Sequence, residues 1–205
     1  MRIKIDMTNL KQKPKLVVMA GFPGSGKTRI ARYLSRKLST PRLSADELRE
    51  MLFDKRYPPE IARDLNLSAR YATTREEEDW MWGTVSGLKM LYVRRELGAI
   101  IDFSAPYNKG RQWVFNTETE QGEELEADKY LFVVQVDEKV LREEREHPNA
   151  VDRWKQVWEE PDNKGYQTVN LTNNTKWDYR RALRTAFKTL TGESNPRKWR
   201  ISGAA

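Results

Sequence analysis

The residues best suited to chemistry form one short run, Gly21-Phe22-Pro23-Gly24-Ser25-Gly26-Lys27-Thr28, which fits G-x-x-x-x-G-K-[ST] at every fixed position. Glycines let the backbone curl so that successive N–H groups face phosphate oxygens, and the N-terminus of the following helix adds partial positive charge. In this pattern Lys27 bridges the β- and γ-phosphates of a nucleoside triphosphate, and the Thr28 hydroxyl binds Mg²⁺. The run therefore predicts a loop that binds ATP with Mg²⁺.

The flanks of this loop agree with its assignment. The apolar, β-branched run at residues 15–20 predicts a buried strand, and apolar residues at helical spacing over residues 28–38 predict a helix. The alternative is an ordinary glycine turn between a strand and a helix. We favour the phosphate loop because the motif and both flanks point to it.

Further elements alternate along the chain and predict an α/β fold. Apolar β-type runs recur at residues 16–20, 42–44, 99–103, 131–136 and 168–171, with helical patterns between them. This alternation predicts a P-loop three-layer sandwich, with a parallel sheet of about five strands, helices on both faces and a helical lid around residues 138–160. Residues 68–96 read as mostly helical, although Gly83 and Gly87 weaken that assignment, and the acidic residues 118–128 read as a solvated helix or loop.

Composition limits the class of protein. The 205 residues fit one domain, assigned to residues 1–191, followed by a basic tail at residues 192–205. Cysteine is absent and His147 is the one histidine, which argues against thiolate and histidine metal sites. No apolar run has the length of a membrane span, and the N-terminus lacks a signal-peptide pattern, so we expect a cytoplasmic protein.

Charge and aromatic content indicate a polyanionic partner. The formal net charge is +7 and the isoelectric point is about 9.5, which favours nucleic acid among possible partners. The seven tryptophans are unusual for this length, and several lie among Arg and Lys. Such side chains can stack on bases, whereas the ordinary role of each one is packing.

A carboxylate and an arginine follow the second predicted strand. Asp46 lies at the carboxyl edge of a P-loop sheet, where it can accept the proton of an attacking hydroxyl. Arg49, three residues on, shares its helical face and can bind an anionic part of the acceptor. The alternative is a helix start in which Ser44 caps the helix and Asp46 favours its first turn, and both interpretations can hold together.

The third predicted strand ends in another carboxylate. Asp102 can hold Mg²⁺ directly or through water, although a strand-end aspartate can also merely form a turn. Beyond it, Tyr107, Asn108 and Arg111 are placed to line the acceptor side.

Two arginines follow the fourth predicted strand. Arg142 and Arg145 are three residues apart, so they share a helical face and can stabilise charge that develops during phosphoryl transfer. The alternative is a solvated helix with Glu–Arg pairs, because Glu143, Glu144 and Glu146 lie beside them.

The order of these motifs resembles the polynucleotide kinase branch of P-loop kinases. The motifs are the phosphate loop, the S-x-D-x-x-R of residues 44–49, the strand-ending Asp with its N…R segment, and the arginine-bearing lid. The resemblance covers residues 15–172. It implies that Asp46 is the general base and that Arg49 contacts a substrate phosphate. It also implies that Lys27 and the lid arginines stabilise the transferring phosphoryl group and that Asp102 helps to organise the site.

The chain departs from that branch in two places. The branch usually has D-x-T-N after the third strand, whereas residues 104–107 followed by Arg111 are similar to adenylylsulfate kinases. The R-x-x-R spacing of the lid is also tighter than in many members. Both departures concern the acceptor and leave the chemistry of the phosphate loop unaffected.

These features predict an ATP- and Mg²⁺-dependent kinase that phosphorylates a hydroxyl group of a nucleic acid, with DNA slightly favoured over RNA. The acceptor is a 5′-hydroxyl end or, as in kinases of bacteriophages, a hydroxymethylated pyrimidine within DNA, for which spare tryptophans would hold an extruded base. Two alternatives stay open. One is a small-molecule kinase acting on adenylylsulfate or a nucleotide-sugar, and the other is a nucleotide-dependent binding module without phosphoryl transfer.

Overall fold

The strands of the protein coincide with the apolar runs of the sequence, because a parallel sheet is covered on both faces and its strands must be apolar on both. The computed structural model describes residues 13–64, 68–145 and 148–193. Within them lie five strands: β1 (Lys15–Ala20), β2 (Arg42–Ser44), β3 (Ala99–Asp102), β4 (Asp128–Gln135) and β5 (Gln167–Thr172). They form one parallel sheet in the order β2-β3-β1-β4-β5.

The helices cover both faces of this sheet, which confirms the predicted α/β sandwich. They are α1 (Lys27–Leu38), α2 (Ala45–Phe53), α3 (Pro59–Asp64), α4 (Arg75–Arg94), α5 (Asn108–Phe115), α6 (Glu138–Val140), α7 (Pro148–Val157) and α8 (Lys176–Thr191). A 3₁₀ turn spans Ala69–Tyr71 and a π-helix spans Leu141–Arg145.

The alternating side chains of β1 divide the core into two layers. Leu16, Val18 and Ala20 pack in one cluster with residues of α2, α4 and α5. Val17 and Met19 point to the opposite face and pack with residues of α1 and α8. The two helical layers are therefore held by the same strand.

The boundaries of β4 and of the helical segment predicted at residues 68–96 differ from the sequence prediction. β4 begins at Asp128, three residues before the predicted start, because Asp128, Lys129 and Tyr130 pair in register with β1 although the first two are polar. The helical segment predicted at residues 68–96 is split, and α4 starts only where Thr74 and Glu77 form a reciprocal capping box. Gly83 and Gly87 do not interrupt α4 and lie on its exposed face.

The register of the sheet brings the predicted site to one edge. Asp102, the last residue of β3, pairs with Ser44 at the end of β2 and with Met19 near the end of β1. The phosphate loop follows β1 and Asp46 follows β2, so both leave the sheet at the same edge as Asp102. Residues 138–145 and 148–157 are helical and lie between β4 and β5, in the region of the predicted lid.

Some predicted features lie outside the described residues: His147, Trp199 and residues 194–205 of the predicted tail. The division into a domain and a tail stays a prediction. Among the described helices, none combines the length and the apolar character that crossing a membrane requires.

Lys89 of α4 is a buried cation on the side of the sheet away from the phosphate loop helix. It is 2% exposed, and its Nζ donates to the carbonyl oxygens of Val114 at 3.1 Å and Asn116 at 2.5 Å. Burial, reinforced by repulsion from Lys129, lowers the pKa of Lys89 to about 8. The folded protein therefore releases this proton at a lower pH than the unfolded chain does.

The unfolded state binds more protons at Lys89 between pH 8 and the ordinary pKa of 10.5, so this group makes the free energy of unfolding rise with pH across that window. From the lower to the upper end of this pH window, we expect the free energy of unfolding of wild type to rise by about 2 to 3 kcal/mol relative to that of Lys89→Met. Urea denaturation of both proteins at pH 7.5 and pH 10 measures the difference. Lys164→Met, which removes an exposed lysine, serves as the control and should show no such change; equal behaviour of both variants would refute the prediction.

Candidate functional site

The phosphate loop has the backbone that its sequence predicts. Gly21 has φ of +131° and Gly26 has φ of +92°, values that side-chain-bearing residues rarely adopt. A Cβ at Gly21 would lie 2.4 Å from the carbonyl oxygen of Val134, and one at Gly26 would lie 2.5 Å from Nδ2 of Asn173. Gly21 is therefore required by its close approach to backbone as well as by its conformation, whereas Gly26 is required mainly by its conformation.

Polar groups inside the loop are arranged as an anion site. The Lys27 Nζ folds back over the loop and donates to the Phe22 carbonyl oxygen at 2.7 Å. The Ser25 hydroxyl is fully buried and has no hydrogen-bond partner among the described residues. This hydroxyl lies beside a lysine and a helix N-terminus. A bound phosphate group would supply the oxygen acceptor that the hydroxyl lacks. The loop residues Gly21, Pro23, Gly24, Ser25, Gly26, Lys27 and Thr28 thus fit the predicted nucleotide.

Thr28 and Asp102 meet beside this loop. The Thr28 hydroxyl donates to the Asp102 carboxylate at 3.3 Å, which places one hydroxyl and one carboxylate together. This donor set suits Mg²⁺, which is typically held by one or two protein oxygens together with the phosphates of the substrate. Asp102 is 3% exposed, and burial raises its pKa above the ordinary range, although Arg42 and Lys27 oppose that shift.

Arg42 belongs to this site, although sequence reasoning missed it. Its guanidinium donates to Asp102 at 2.7 Å and also pairs with Glu47, which in turn accepts from Arg32 at 2.6 Å. Arg42 holds the negative charge of Asp102 in the buried edge of the sheet. The sequence offered one signal for this role: Arg42 lies in the second strand, next to the strand that ends at Asp102.

Asp46 is an exposed carboxylate at the same edge of the sheet. It lies in the first turn of α2, whose N-terminus is capped by Ser44, and its side chain is 76% exposed. One carboxylate oxygen accepts a hydrogen bond from Arg49 at 2.9 Å. The carboxylate is therefore oriented on one side and open to a substrate on the other. Both interpretations of the sequence, the helix start and the accessible base, fit this geometry.

Arg49 does not reach the acceptor side in the way the sequence suggested. Its side chain is 6% exposed, and its Nε and one terminal nitrogen donate to the two carboxylate oxygens of Glu78 at 2.6 and 2.9 Å. The remaining terminal nitrogen donates to Asp46. Because all three nitrogens of the guanidinium are engaged, we assign Arg49 as a positioning residue for Asp46, with Glu78 of α4 as its anchor.

This correction predicts a stability effect. Breaking a buried ion pair leaves one charge uncompensated, so Arg49→Met should lower the free energy of unfolding by about 3 to 5 kcal/mol. Arg49→Met combined with Glu78→Met should recover much of that loss, because both charges are then removed. Urea unfolding of wild type, the two single variants and the double variant measures this coupling. Unchanged stability of Arg49→Met, accompanied by a raised KM for the acceptor, would instead restore the role predicted from the sequence.

Asn108 and Arg111 also require correction. Arg111 is fully buried and donates to the carbonyl oxygens of Ala105 and Pro106 and to the Asn108 side chain, at 2.8 to 2.9 Å. The Asn108 amide donates to the Glu160 carbonyl oxygen at 2.8 Å. Both side chains fasten the loop after β3 to the segment after α7 rather than face a substrate. Tyr107, in contrast, is 47% exposed and stays a candidate for the acceptor side.

The lid arginine Arg142 lies in the π-helix and pairs with acids of the lid itself. It donates to Glu138 at 2.7 and 2.9 Å and forms an ion pair with Asp152 of α7. Contact with a transferring phosphoryl group would require it to exchange these partners, so its catalytic role stays a prediction. Arg145 ends the same π-helix, and its side chain lies outside the described part of the structure.

Aromatic side chains join the lid to the phosphate loop. The ring of Phe22 lies 6.1 Å from the ring of Trp154 and 6.2 Å from that of Trp158, measured between centroids. Trp158 also lies under the Arg111 guanidinium at 4.6 Å. These two tryptophans therefore pack, whereas Trp80 and Trp177 are 76% and 70% exposed.

A second residue that sequence reasoning missed is Asn173, which directly follows β5. Its amide donates to the Ser25 carbonyl oxygen at 2.6 Å, and its backbone N–H donates to Gln135 at 2.9 Å. Asn173 thus ties the phosphate loop to the start of α8. In the sequence it reads as part of an Asn-rich turn, and its partner lies 148 residues away.

Comparisons with known proteins agree with this geometry. The sequence matches the family described as an AAA domain over residues 16–161. A sugar kinase from Janibacter sp. HTCC2649 has a TM-score of 0.60, with 16% identity over 86% of this chain and 94% of that chain. The APS kinase CysC of Mycobacterium tuberculosis, solved with AMPPNP and APS, has a TM-score of 0.53, with 15% identity over 87% and 98% of the two chains.

A Pnkp1/Rnl/Hen1 complex is also similar, with a TM-score of 0.51 and 23% identity over 68% of this chain and 42% of that chain. At these identities the likeness shows a common fold. No curated protein sequence matches the chain.

Proposed function

The chain belongs to the family described as an AAA domain, and on that premise we propose that it transfers the γ-phosphate of ATP to a hydroxyl group of a nucleic acid. The observation that carries the transfer step is Asp46, an exposed carboxylate oriented by a buried arginine at the sheet edge where the phosphate loop, Thr28 and Asp102 meet. In a protein that only bound nucleotide, Asp46 would serve only the first turn of α2.

On the donor side, the loop N–H groups and Lys27 bind the β- and γ-phosphates. Thr28 and Asp102 would hold Mg²⁺, which neutralises phosphate charge when it is bound. Arg42 keeps Asp102 in place through its hydrogen bond at 2.7 Å. Phe22, Trp154 and Trp158 form an apolar wall beside the loop that excludes water from this part of the site.

On the acceptor side, Asp46 accepts the proton of the attacking hydroxyl. The hydroxyl oxygen forms a bond to the γ-phosphorus while the bond from that phosphorus to the bridging oxygen of ADP breaks, so the products are a phosphate ester, ADP and the proton on Asp46. Arg49 and Glu78 keep the carboxylate aimed at the acceptor. Arg142 would turn from Glu138 and Asp152 to the phosphoryl group.

A nucleic acid is the preferred acceptor because of the charge of the chain. The net charge of +7 attracts a polyanion, and Trp80 and Trp177 are each more than two-thirds exposed. The acceptor group is a 5′-hydroxyl end or the hydroxymethyl group of a modified pyrimidine in DNA. The first is accessible without base extrusion, so it is the default.

A small molecule is the second candidate acceptor, and one observation favours it. Arg49 and Arg111, the two arginines predicted on the acceptor side, are engaged internally, so neither offers its guanidinium to an acceptor phosphate. An acceptor that carries little charge near its hydroxyl would suit such a site. The sugar kinase and the APS kinase are also matched along nearly their whole length.

The KM of each acceptor, measured at about 50 and 200 mM salt, separates the two candidates, because phosphate contacts release counterions. We expect the KM of a 5′-hydroxyl oligonucleotide to rise on the order of tenfold or more over this range. The KM of adenylylsulfate, if it is used at all, should change little. Transfer to adenylylsulfate alone, or a salt-independent KM for the oligonucleotide, would favour the small-molecule kinase.

A further inference from the structure

The positive charge of the protein is concentrated on two neighbouring helices. Helix α1 carries five basic and no acidic side chains, and α8 carries five basic side chains and one acidic side chain, Asp178. Their combined charge of +9 exceeds the +7 of the whole chain, so all other residues together carry −2. The surplus of lysine and arginine is therefore confined to these two helices and is not spread over the whole surface.

The two helices lie side by side on one face of the sheet. Ile30, Ala31 and Leu34 of α1 share a buried cluster with Ala182 and Leu183 of α8. The Arg29 guanidinium lies 4.2 Å from the ring centroid of Tyr179, which joins the two helices at the surface. Their charged sides therefore form one continuous surface.

We call this surface the basic face. On α1 it consists of Arg29, Arg32, Arg36 and Lys37, all exposed. On α8 it consists of Lys176, Arg180, Arg181, Arg184 and Lys188, of which all but the half-buried Arg180 are exposed.

The charges of the basic face are mostly uncompensated. Arg32 pairs with Glu47 at 2.6 Å. Among the described residues, Arg181, Arg184 and Lys188 form no ion pair. Together with Trp177 they follow the spacing i, i+4, i+7 and i+11, so they line the solvent side of α8. Trp177 and Lys188 are 11 residues apart on α8, so this line is about 17 Å long.

Trp177 adds a feature that solubility does not require. Its side chain is 70% exposed, and the Arg180 guanidinium lies 5.2 Å from its ring centroid. An exposed indole within a cationic line is a platform on which an unpaired base can stack.

The basic face leads to the phosphate site. Helices α1 and α8 both begin at the edge of the sheet that holds the loop, and Asn173, just before α8, bonds to Ser25 of the loop. A strand lying along α8 would thus have one end at the active edge of the molecule.

We propose that the basic face is a docking surface for a nucleic-acid strand, which holds the polymer while its hydroxyl group occupies the active site. This proposal rests on the proposed function for its role in catalysis. The affinity of the surface for nucleic acid does not depend on that function, so the two can fail separately.

The test compares two triple variants that remove equal charge. Arg181→Ala/Arg184→Ala/Lys188→Ala strips the basic face, and Arg94→Ala/Arg95→Ala/Lys164→Ala removes three exposed charges elsewhere. Binding of a labelled single-stranded oligonucleotide that already carries a 5′-phosphate is measured by anisotropy over a range of salt concentrations. Because the end is blocked, turnover does not contribute to the signal.

We expect the basic-face variant to lose affinity on the order of tenfold or more at low salt and to lower the slope of log K against log salt by about 2, the value for three phosphate contacts on a single strand. The affinity and the slope of the control variant should both stay close to the wild-type values. Trp177→Ala should weaken binding of a single strand more than that of a blunt duplex. Equal losses in both triple variants, or no loss in either, would overturn the proposal.

Two further measurements separate this proposal from the proposed function. Transfer to a 5′-hydroxyl dinucleotide should be the same in the basic-face variant and wild type, since that acceptor is too short to span α8.

If no nucleic acid accepts phosphate but the basic-face variant alone loses oligonucleotide binding, the docking surface stands and the proposed acceptor fails. If the variant loses binding to phosphatidylserine vesicles and keeps oligonucleotide binding, the surface belongs to a membrane and our proposal is wrong.

Discussion

Asp46→Asn should lower kcat by about 10²- to 10⁴-fold, the range over which a positioned general base contributes. The amide keeps the shape of the side chain and can still meet Arg49, which lies 2.9 Å from the carboxylate. It cannot take up the proton of the acceptor hydroxyl. The Kd for ATP should change by no more than about twofold, because Asp46 is not part of the phosphate loop.

Steady-state kinetics and calorimetric titration with ATP measure the two quantities on the same preparations. Glu50→Gln is the matched control, because it neutralises an exposed carboxylate on the same helix. It should leave kcat close to the wild-type value. Full turnover by Asp46→Asn would remove the general base from the mechanism and would favour a nucleotide-dependent binding module.

Lys27→Ala should also abolish most turnover, by a factor on the order of a hundred or more. Its ammonium lies over the phosphate loop, where it donates to the Phe22 carbonyl oxygen at 2.7 Å. Charge that develops on the transferring phosphoryl group would lose its cationic partner. Affinity should fall more for ATP than for ADP, because the lysine bridges the β- and γ-phosphates.

Lys164→Ala, which removes an exposed lysine outside the loop, is the control for this variant. Thermal unfolding without ligand shows whether the loop variant is folded. If Lys27→Ala retained turnover, or if it lost affinity equally for ATP and ADP, the assignment of Lys27 to the γ-phosphate would be wrong.

The sequence was sufficient for the elements that depend on local pattern. The phosphate loop is defined by fixed glycines, and its structure shows why, since a Cβ at Gly21 would lie 2.4 Å from a backbone oxygen. The strands could be predicted because strands of a parallel sheet are buried on both faces and therefore read as apolar runs. The start of β4 was missed because pairing with β1, and not hydrophobicity, places Asp128 and Lys129 in the sheet.

Roles of long charged side chains could not be predicted in the same way. Arg49 has its main partner, Glu78, 29 residues away, and the guanidinium of Arg111 lies over the ring of Trp158 in the predicted lid. The sequence places these arginines after the second and third strands, but it does not show which way their side chains turn. Their direction is decided by tertiary contacts that no spacing records.

Thr28 and Asp102 illustrate the intermediate case. Their proximity follows from the topology, because the loop after β1 and the end of β3 must share one edge. Their partner Arg42 does not follow from it. Sequence reasoning therefore identified the two metal-binding candidates and missed the arginine that holds one of them.

Transfer of label from γ-labelled ATP, with Mg²⁺, to a panel of acceptors tests the central claim most directly. The panel contains 5′-hydroxyl DNA, 5′-hydroxyl RNA, 5′-phosphorylated DNA with hydroxymethylated pyrimidines, and adenylylsulfate. We predict label on a nucleic acid, at its 5′ end or, for the blocked DNA, at the modified base, and no label with Asp46→Asn. Label on adenylylsulfate alone, or on none of the polymers, would contradict a kinase that acts on nucleic acid.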